Sequence, residues 1–408
     1  MLPNAPKQTV DELPLAPDFA DHPPQPAITR VTTEPDWLTV AWEDGLTHRF
    51  YRSWLFENYV HDGVINPVTR ERDLDPDAIP ADLALESATL GPRGEVKLVW
   101  SPAATSRHHP GWLRASAERI WHPDAALPDQ ETWTSASMPE PATFDGPAVL
   151  EDDAALEDWL LALRRFGLAR LQGLPVAPGT VQRAAERIGT VRASNFGFLF
   201  TVETKPDPDS NAYTSAALTA HTDLASREVQ PGLQYLHCMK NTCPDGLSTM
   251  VDGFRLAEVL RDTEPEVFDA LTSLSWVFSN RHRETDYRFS GPLIELDAAG
   301  HITEIRNTGF LRADPDMAEA DIPRAYAAVA RFAQIARDRK YVCRYPFRSG
   351  DMIAFDNRRI LHGRDSFDPN GGVRRLQGCY MERDELFSRL RVLSRRQRAR
   401  NSPVPPRP

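Results

Sequence analysis

Three short stretches carry side chains that could do chemistry together. The first is His221-Thr222-Asp223. At a strand end, residues i and i+2 project to one side, so one imidazole and one carboxylate could converge on a single ion. Alone, such a pair is more often solvent-facing than ligating. The second stretch, 350–357 (GDMIAFDN), leads into Leu361-His362-Gly363, with His362 lying 141 residues beyond His221. A second imidazole from another strand of the same β core would complete two histidines and a carboxylate with open positions. That set suits non-haem Fe(II) and O2, and zinc hydrolysis could use the same ligands. The third is Arg374, twelve residues after His362 within GVRRLQG. A guanidinium fork matches a carboxylate, so Arg374 on a strand running back past the metal could anchor the far carboxylate of a 2-oxo acid. Viewed singly, Arg374 or Arg375 reads better as half of a surface ion pair. The order His-x-Asp, distal His, trailing Arg specifies an oxygenase with a 2-oxoglutarate cosubstrate.

Such residues need a scaffold, and the chain is long enough to supply one. Its 408 residues suggest two domains or three, and 41% hydrophobic residues with nine Trp and eighteen Phe supply a sizeable core. Lys plus Arg number 47 against 58 Asp plus Glu, a net charge of −11 that repels phosphate backbones and argues against nucleic-acid binding. Four scattered cysteines make no CxxC pair, so a disulfide framework is not expected. No basic start precedes an apolar stretch, and no uncharged apolar run reaches membrane-spanning length; no membrane association is expected and the reading is cytoplasmic.

Prolines at 3, 6, 14, 17, 23, 24 and 26 mark residues 1–27 as an arm or tail. Alternating runs from Ile28, with a further strand at 95–100, predict a small β-rich domain over 28–122. Five prolines make 123–147 a linker, and 148–395 forms the second domain before a tail at 396–408. In that domain, Leu156, Leu160, Leu163 and Phe166 fall at helical spacing before Gly167, and 180–188 reads as another helix. Short apolar runs at 168–171, 233–237, 250–252, 274–277, 293–296, 341–345 and 352–355 read as strands, with helices near 256–261 and 322–337. Many short strands with a few outer helices predict a mainly β jelly-roll core rather than alternating βαβ units. No GxGxxG, Walker A loop or internal repeat is present.

The segments HTDL, PGLQYLHC, STMVDGF, LIELD, GDMIAFDNRRILHGRDSF and RRLQGCY resemble the γ-butyrobetaine hydroxylase and trimethyllysine dioxygenase family, within the taurine dioxygenase-like oxygenases. The likeness covers about 150–393, and DWLTVAWEDGLTHRFYRSWL resembles that family's small N-terminal domain. It implies a double-stranded β-helix with Fe(II) on His221, Asp223 and His362. It further implies 2-oxoglutarate on Arg374, with Ser248 as hydroxyl partner and Leu236 lining the pocket. The implied reaction is oxidative decarboxylation of the cosubstrate to succinate and CO2, coupled to hydroxylation of a C–H bond. His237, in a buried-looking strand, reads instead as a satisfied core histidine.

Family substrates carry a trimethylammonium group, which aromatic faces hold best because it has no N–H to donate. The matching positions are Phe196, Phe200, Tyr213 and Tyr380, with Asn211 and Arg288 as further substrate contacts. Without the family, the run 195–200 would read as an apolar core strand. The acid end departs from the pattern: Leu224 replaces an aromatic hydroxyl, and Gly309 stands at an amide position. Arg281, Arg283, Arg288, Arg306 and Arg312 crowd the segment between. If one or two face inward, a tetrahedral anion becomes attractive, and the balance leans slightly to 2-(trimethylammonio)ethylphosphonate over γ-butyrobetaine. A sulfonate dioxygenase and a non-catalytic 2-oxoglutarate or oxygen sensor are the rivals.

Family members often hold zinc in the N-terminal domain, but 53–61 has no cysteine and His108-His109 lack thiolate partners. No zinc is expected there; packing, and dimer contacts in an expected homodimer, hold the domain together. The basic run from Arg389 to Arg400 reads as a solvated helix end.

Overall fold

A computed structural model describes residues 12–101, 104–203, 214–368 and 370–401. The chain forms two compact units, Met1–Ala126 with Ser394–Pro408, and Leu127–Leu393. Among the described residues no helix is long and apolar enough to cross a membrane.

The smaller unit holds two antiparallel three-stranded sheets, Ile28–Glu34, Trp37–Trp42 and Thr47–Tyr51, and Ala84–Leu90, Val96–Ser101 and Ala104–His108. Period-two alternation buries Leu38, Val40 and Trp42 on one face. Residues 12–27 run without helix or strand, their carbonyls taken by Arg70 on Ala16 and Arg107 on Glu12. The segment 53–61 contributes most of helix Arg52–Glu57, whose Trp54 ring stacks between Phe50 and Trp112 at 5.2 and 4.8 Å.

The larger unit is built on two facing sheets. One runs in the order Phe200–Glu203, Arg374–Met381, Leu233–Asn241, Met352–Asp356, Leu168–Gln172, Thr143–Asp145. The other runs Leu218–His221, Ile360–Arg364, Ser248–Asp252, Val342–Tyr345. Alternation separates two cores. Leu171, Leu233, Tyr235, Met352, Ala354, Cys379 and Met381 face helices Asp153–Phe166 and Thr180–Glu186. Cys238, Met250, Cys343, Tyr345, Ile353, Phe355 and Leu376 fill the space between the sheets. The first helix starts where the Asp152 carboxylate accepts from Ala155 N (2.8 Å) and stops at Gly167, whose φ of 69° suits glycine.

Two elements differ from the sequence reading. The stretch read as a linker packs into the larger unit from Leu127: Trp133 is buried, and Thr143–Asp145 pairs in parallel with Leu168–Gln172. Its prolines flank an edge strand, where a missing N–H costs no ladder bond. A further helix, Pro265–Ser273, begins on a proline that suits the first helical turn but reads in sequence as a break.

His237 lies on the helix-facing side of its strand, buried as expected but not satisfied: neither ring nitrogen has a hydrogen-bond partner. Burial pushes its pKa down to about 4. Above pH 6.5 the imidazole is neutral in both folded and unfolded chains. Below that the unfolded chain takes up the proton first, so stability falls as pH drops from about 6.5 towards 4. His237→Leu is expected to shrink the stability lost between pH 7 and pH 4.5 by about 2 kcal/mol, read by urea unfolding at the two pH values. An unchanged loss would contradict it.

Candidate functional site

His221 closes the edge strand Leu218–His221 and stands directly opposite His362 of Ile360–Arg364. The two rings lie 4.2 Å apart. Gly363 permits this approach, since a Cβ there would sit 2.5 Å from Leu218 O. Asp223 arrives by a different route from the strand alternation expected. The strand ends at His221, and Asp223 opens the turn that continues through Leu224, at φ 56°. Asp223 Oδ1 then lies 3.2 Å from His221 Nε2 and 3.8 Å from His362 Nε2. Among the described residues these three form the one group of His, Cys, Asp or Glu able to share an ion, with all ligand atoms within 4.8 Å.

A positive φ at leucine is strained and must be held from outside. Asn357, fully buried, does this by accepting from Asp223 N (2.8 Å) and donating to Asp223 O (3.1 Å). From the other side Asn307 donates to Ala220 O (3.1 Å), and the Thr308 hydroxyl bonds Thr222 O. His221 Nδ1 donates to Thr219 O at 2.9 Å, which leaves Nε2 as the lone pair towards the ion. Burial, reinforced by His221, pushes His362 down to about 3, so its imidazole is neutral and able to ligate. Burial alone would raise Asp223, but the two imidazoles and the Tyr380 hydroxyl reverse that and hold the carboxyl below its usual range. Two imidazoles and a carboxylate on one face fit Fe(II).

Tyr380 has a role the sequence did not reveal: its hydroxyl donates to Asp223 Oδ2 at 2.8 Å, leaving Oδ1 for the ion. Its ring stacks on Phe200 at 4.9 Å, and Phe200 meets Phe196 at 6.2 Å. Gly378 makes room, because a Cβ there would lie 2.5 Å from the Phe200 ring. Three of the four expected aromatics are therefore contiguous and reach the triad; Tyr213 and Asn211 lie outside the described residues. Phe310, also unforeseen, sets its ring 5.2 Å from His221 while 45% exposed, at the mouth of the site.

Arg374 opens the strand Arg374–Met381, buried and pointing between the sheets. Ser248 is buried on the opposite sheet, and Leu236 pairs with Gly378 and Ile353. The buried hydroxyl of Tyr345, missed in sequence, has no partner and faces the same interior. Buried donors awaiting an acceptor beside the triad fit a carboxylate-bearing cosubstrate.

Of the five arginines that favoured a tetrahedral anion, four are engaged elsewhere and one is exposed. Arg306 is buried, stacked on Phe289 at 3.8 Å and bonded to Ala225 O, Arg227 O and Glu304. Arg288 is exposed and forked on Asp286, which Arg281 also approaches. Arg312 lies over the Trp276 ring at 4.7 Å, and Arg283 is exposed.

The chain is similar to a gamma-butyrobetaine dioxygenase of Pseudomonas sp. (strain AK-1), 42% identical over 362 residues, or 88% of this chain and 94% of that one. It is also similar to the gamma-butyrobetaine dioxygenase of Homo sapiens, at 28% identity over 89% of this chain and 95% of that one. Trimethyllysine dioxygenase of Meyerozyma guilliermondii matches at 26% over 90% and 96%. The description "Taurine catabolism dioxygenase TauD, TfdA family" matches residues 128–380, the span that supplies both sheets and the triad. The family match spans more than half of the chain and the triad could hold a metal ion, so this chain belongs to the TauD, TfdA dioxygenases and is an iron- and 2-oxoglutarate-dependent enzyme.

Proposed function

We propose that the enzyme hydroxylates a small trimethylammonium carboxylate of the γ-butyrobetaine type. One C–H of the substrate, O2 and 2-oxoglutarate become C–OH, succinate and CO2. His221, Asp223 and His362 hold the iron, which supplies the oxygen chemistry when bound. Arg374 and Ser248 receive the distal carboxylate of the cosubstrate, and the aromatic wall orients the substrate and excludes water.

The observation that carries this reading is the continuous face of Phe196, Phe200 and Tyr380, whose last member is hydrogen-bonded to Asp223. A cation held there by ring quadrupoles lies beside the reactive centre. The 42% identity to a gamma-butyrobetaine dioxygenase supports the carboxylate. The phosphonate reading loses its support, because none of Arg281, Arg288 and Arg306 is free to take a second anionic charge.

Succinate release should be stimulated by γ-butyrobetaine well above 2-(trimethylammonio)ethylphosphonate, trimethyllysine or taurine. Phe200→Ala should raise KM for γ-butyrobetaine by about tenfold, since a desolvated cation–π contact contributes about 1–2 kcal/mol. No stimulation by any quaternary ammonium compound would remove the substrate assignment and leave the oxygenase chemistry standing.

A further inference from the structure

The four-stranded sheet presents two parallel rows of side chains to the interior. Directly opposite residues share a face, so His221, His362, Met250 and Cys343 make one row across four strands. Two residues along their strands stand Arg364, Ser248 and Tyr345, with Leu218 opposite Arg364 across the irregularity that separates it from His221. Strand rise separates the rows by about 6.6 Å. A five-carbon keto diacid spans a similar distance, four bonds of about 1.5 Å, from its chelating end to its far carboxylate. The metal row and this second row are thus matched to the two ends of 2-oxoglutarate.

Arg364 is buried in the second row and faces no carboxylate among the described residues. Its Nη2 donates to Thr214 O (2.8 Å) and Ala216 O (2.7 Å), while Nε is buried and unbonded. Arg374, from the other sheet, is also buried, faces no carboxylate among the described residues and leaves Nε unbonded. Arg364 projects with Ser248 into the space between the sheets, and Arg374 points into the same space from the facing sheet. Two buried like charges without an anion are unfavourable, and a bound carboxylate between them removes that penalty.

We propose that Arg364 is a second guanidinium of the cosubstrate pocket. The distal carboxylate of 2-oxoglutarate is shared between Arg364 and Arg374. Through the carbonyls of Thr214 and Ala216, Arg364 ties occupancy of the pocket to the segment entering Leu218–His221. This assignment rests on the cosubstrate and not on the identity of the substrate, so either can fail without the other.

The probes are 2-oxoglutarate and 2-oxopentanoate, which has the same chain without the distal carboxylate. Each is titrated anaerobically into the Fe(II)-loaded full chain and followed by the visible absorption of the chelated keto acid. Arg364→Gln should weaken 2-oxoglutarate by about tenfold to a hundredfold and leave 2-oxopentanoate within about twofold. Arg364→Lys should recover part of the loss. Equal weakening of both acids, or of neither, would overturn the assignment in favour of a purely structural clamp. Should Arg364→Gln not fold, hydrogen exchange on the unaltered protein decides. Protection of 214–221 must be greater with 2-oxoglutarate than with 2-oxopentanoate, and equal protection overturns the proposal.

Discussion

Asp223→Ala is expected to leave a folded chain that no longer retains iron, with turnover reduced by about a thousandfold or more, equivalent to about 4 kcal/mol of barrier. Asp223 is the only anion in the triad and the atom set through which both imidazoles are brought to one ion. Its loss leaves two neutral donors, which bind Fe(II) poorly. Tyr380→Phe provides the graded comparison. It keeps the ring on Phe200 and removes only the hydrogen bond to Asp223 Oδ2, so iron affinity should fall by about tenfold to a hundredfold. Iron per chain after gel filtration and succinate release check both. Full iron content in Asp223→Ala would mean that the ion sits elsewhere.

Breaking the Arg359–Asp252 pair is expected to cost about 3–5 kcal/mol, the largest stability effect of any single side chain discussed. Both side chains are fully buried and 2.7 Å apart. Arg359 also donates to Arg165 O and Glu131 O, while Asp252 accepts from Phe254 N at the start of helix Gly253–Thr263 and from Trp133 N. Arg359→Met therefore strands an anion and two carbonyls at once. The apparent Tm should fall by about 10 °C. The double variant Arg359→Met with Asp252→Leu should recover part of the loss, since it removes the uncompensated charge. A single variant within 2 °C of the parent, on the order of the effect of a surface change, would contradict this.

The His-x-Asp, the distal histidine and the trailing arginine were legible because their chemistry depends on residue type and order, which sequence shows directly. The helix over 153–166 was legible because an apolar stripe and a terminal glycine agree. The turn at Leu224 was not, since its backbone is imposed by Asn357, Asn307 and Thr308 from distant parts of the chain. Tyr380 reads from sequence as one more aromatic, and only the fold brings its hydroxyl to Asp223. Arg306 misled for a related reason. A guanidinium that saturates backbone carbonyls looks, in sequence, identical to one awaiting an anion.

Among the described residues the strand bearing His221 pairs with one neighbour, and its ladder to that neighbour is interrupted between Leu218 and His221. Iron shared by His221, Asp223 and His362 would act as a rivet across this interrupted ladder. Starved of the metal, the protein would open first where substrate enters, exposing this border to proteases while the opposite sheet stays closed. Loading with the ion is then expected to slow proteolysis at this border as well as to permit turnover.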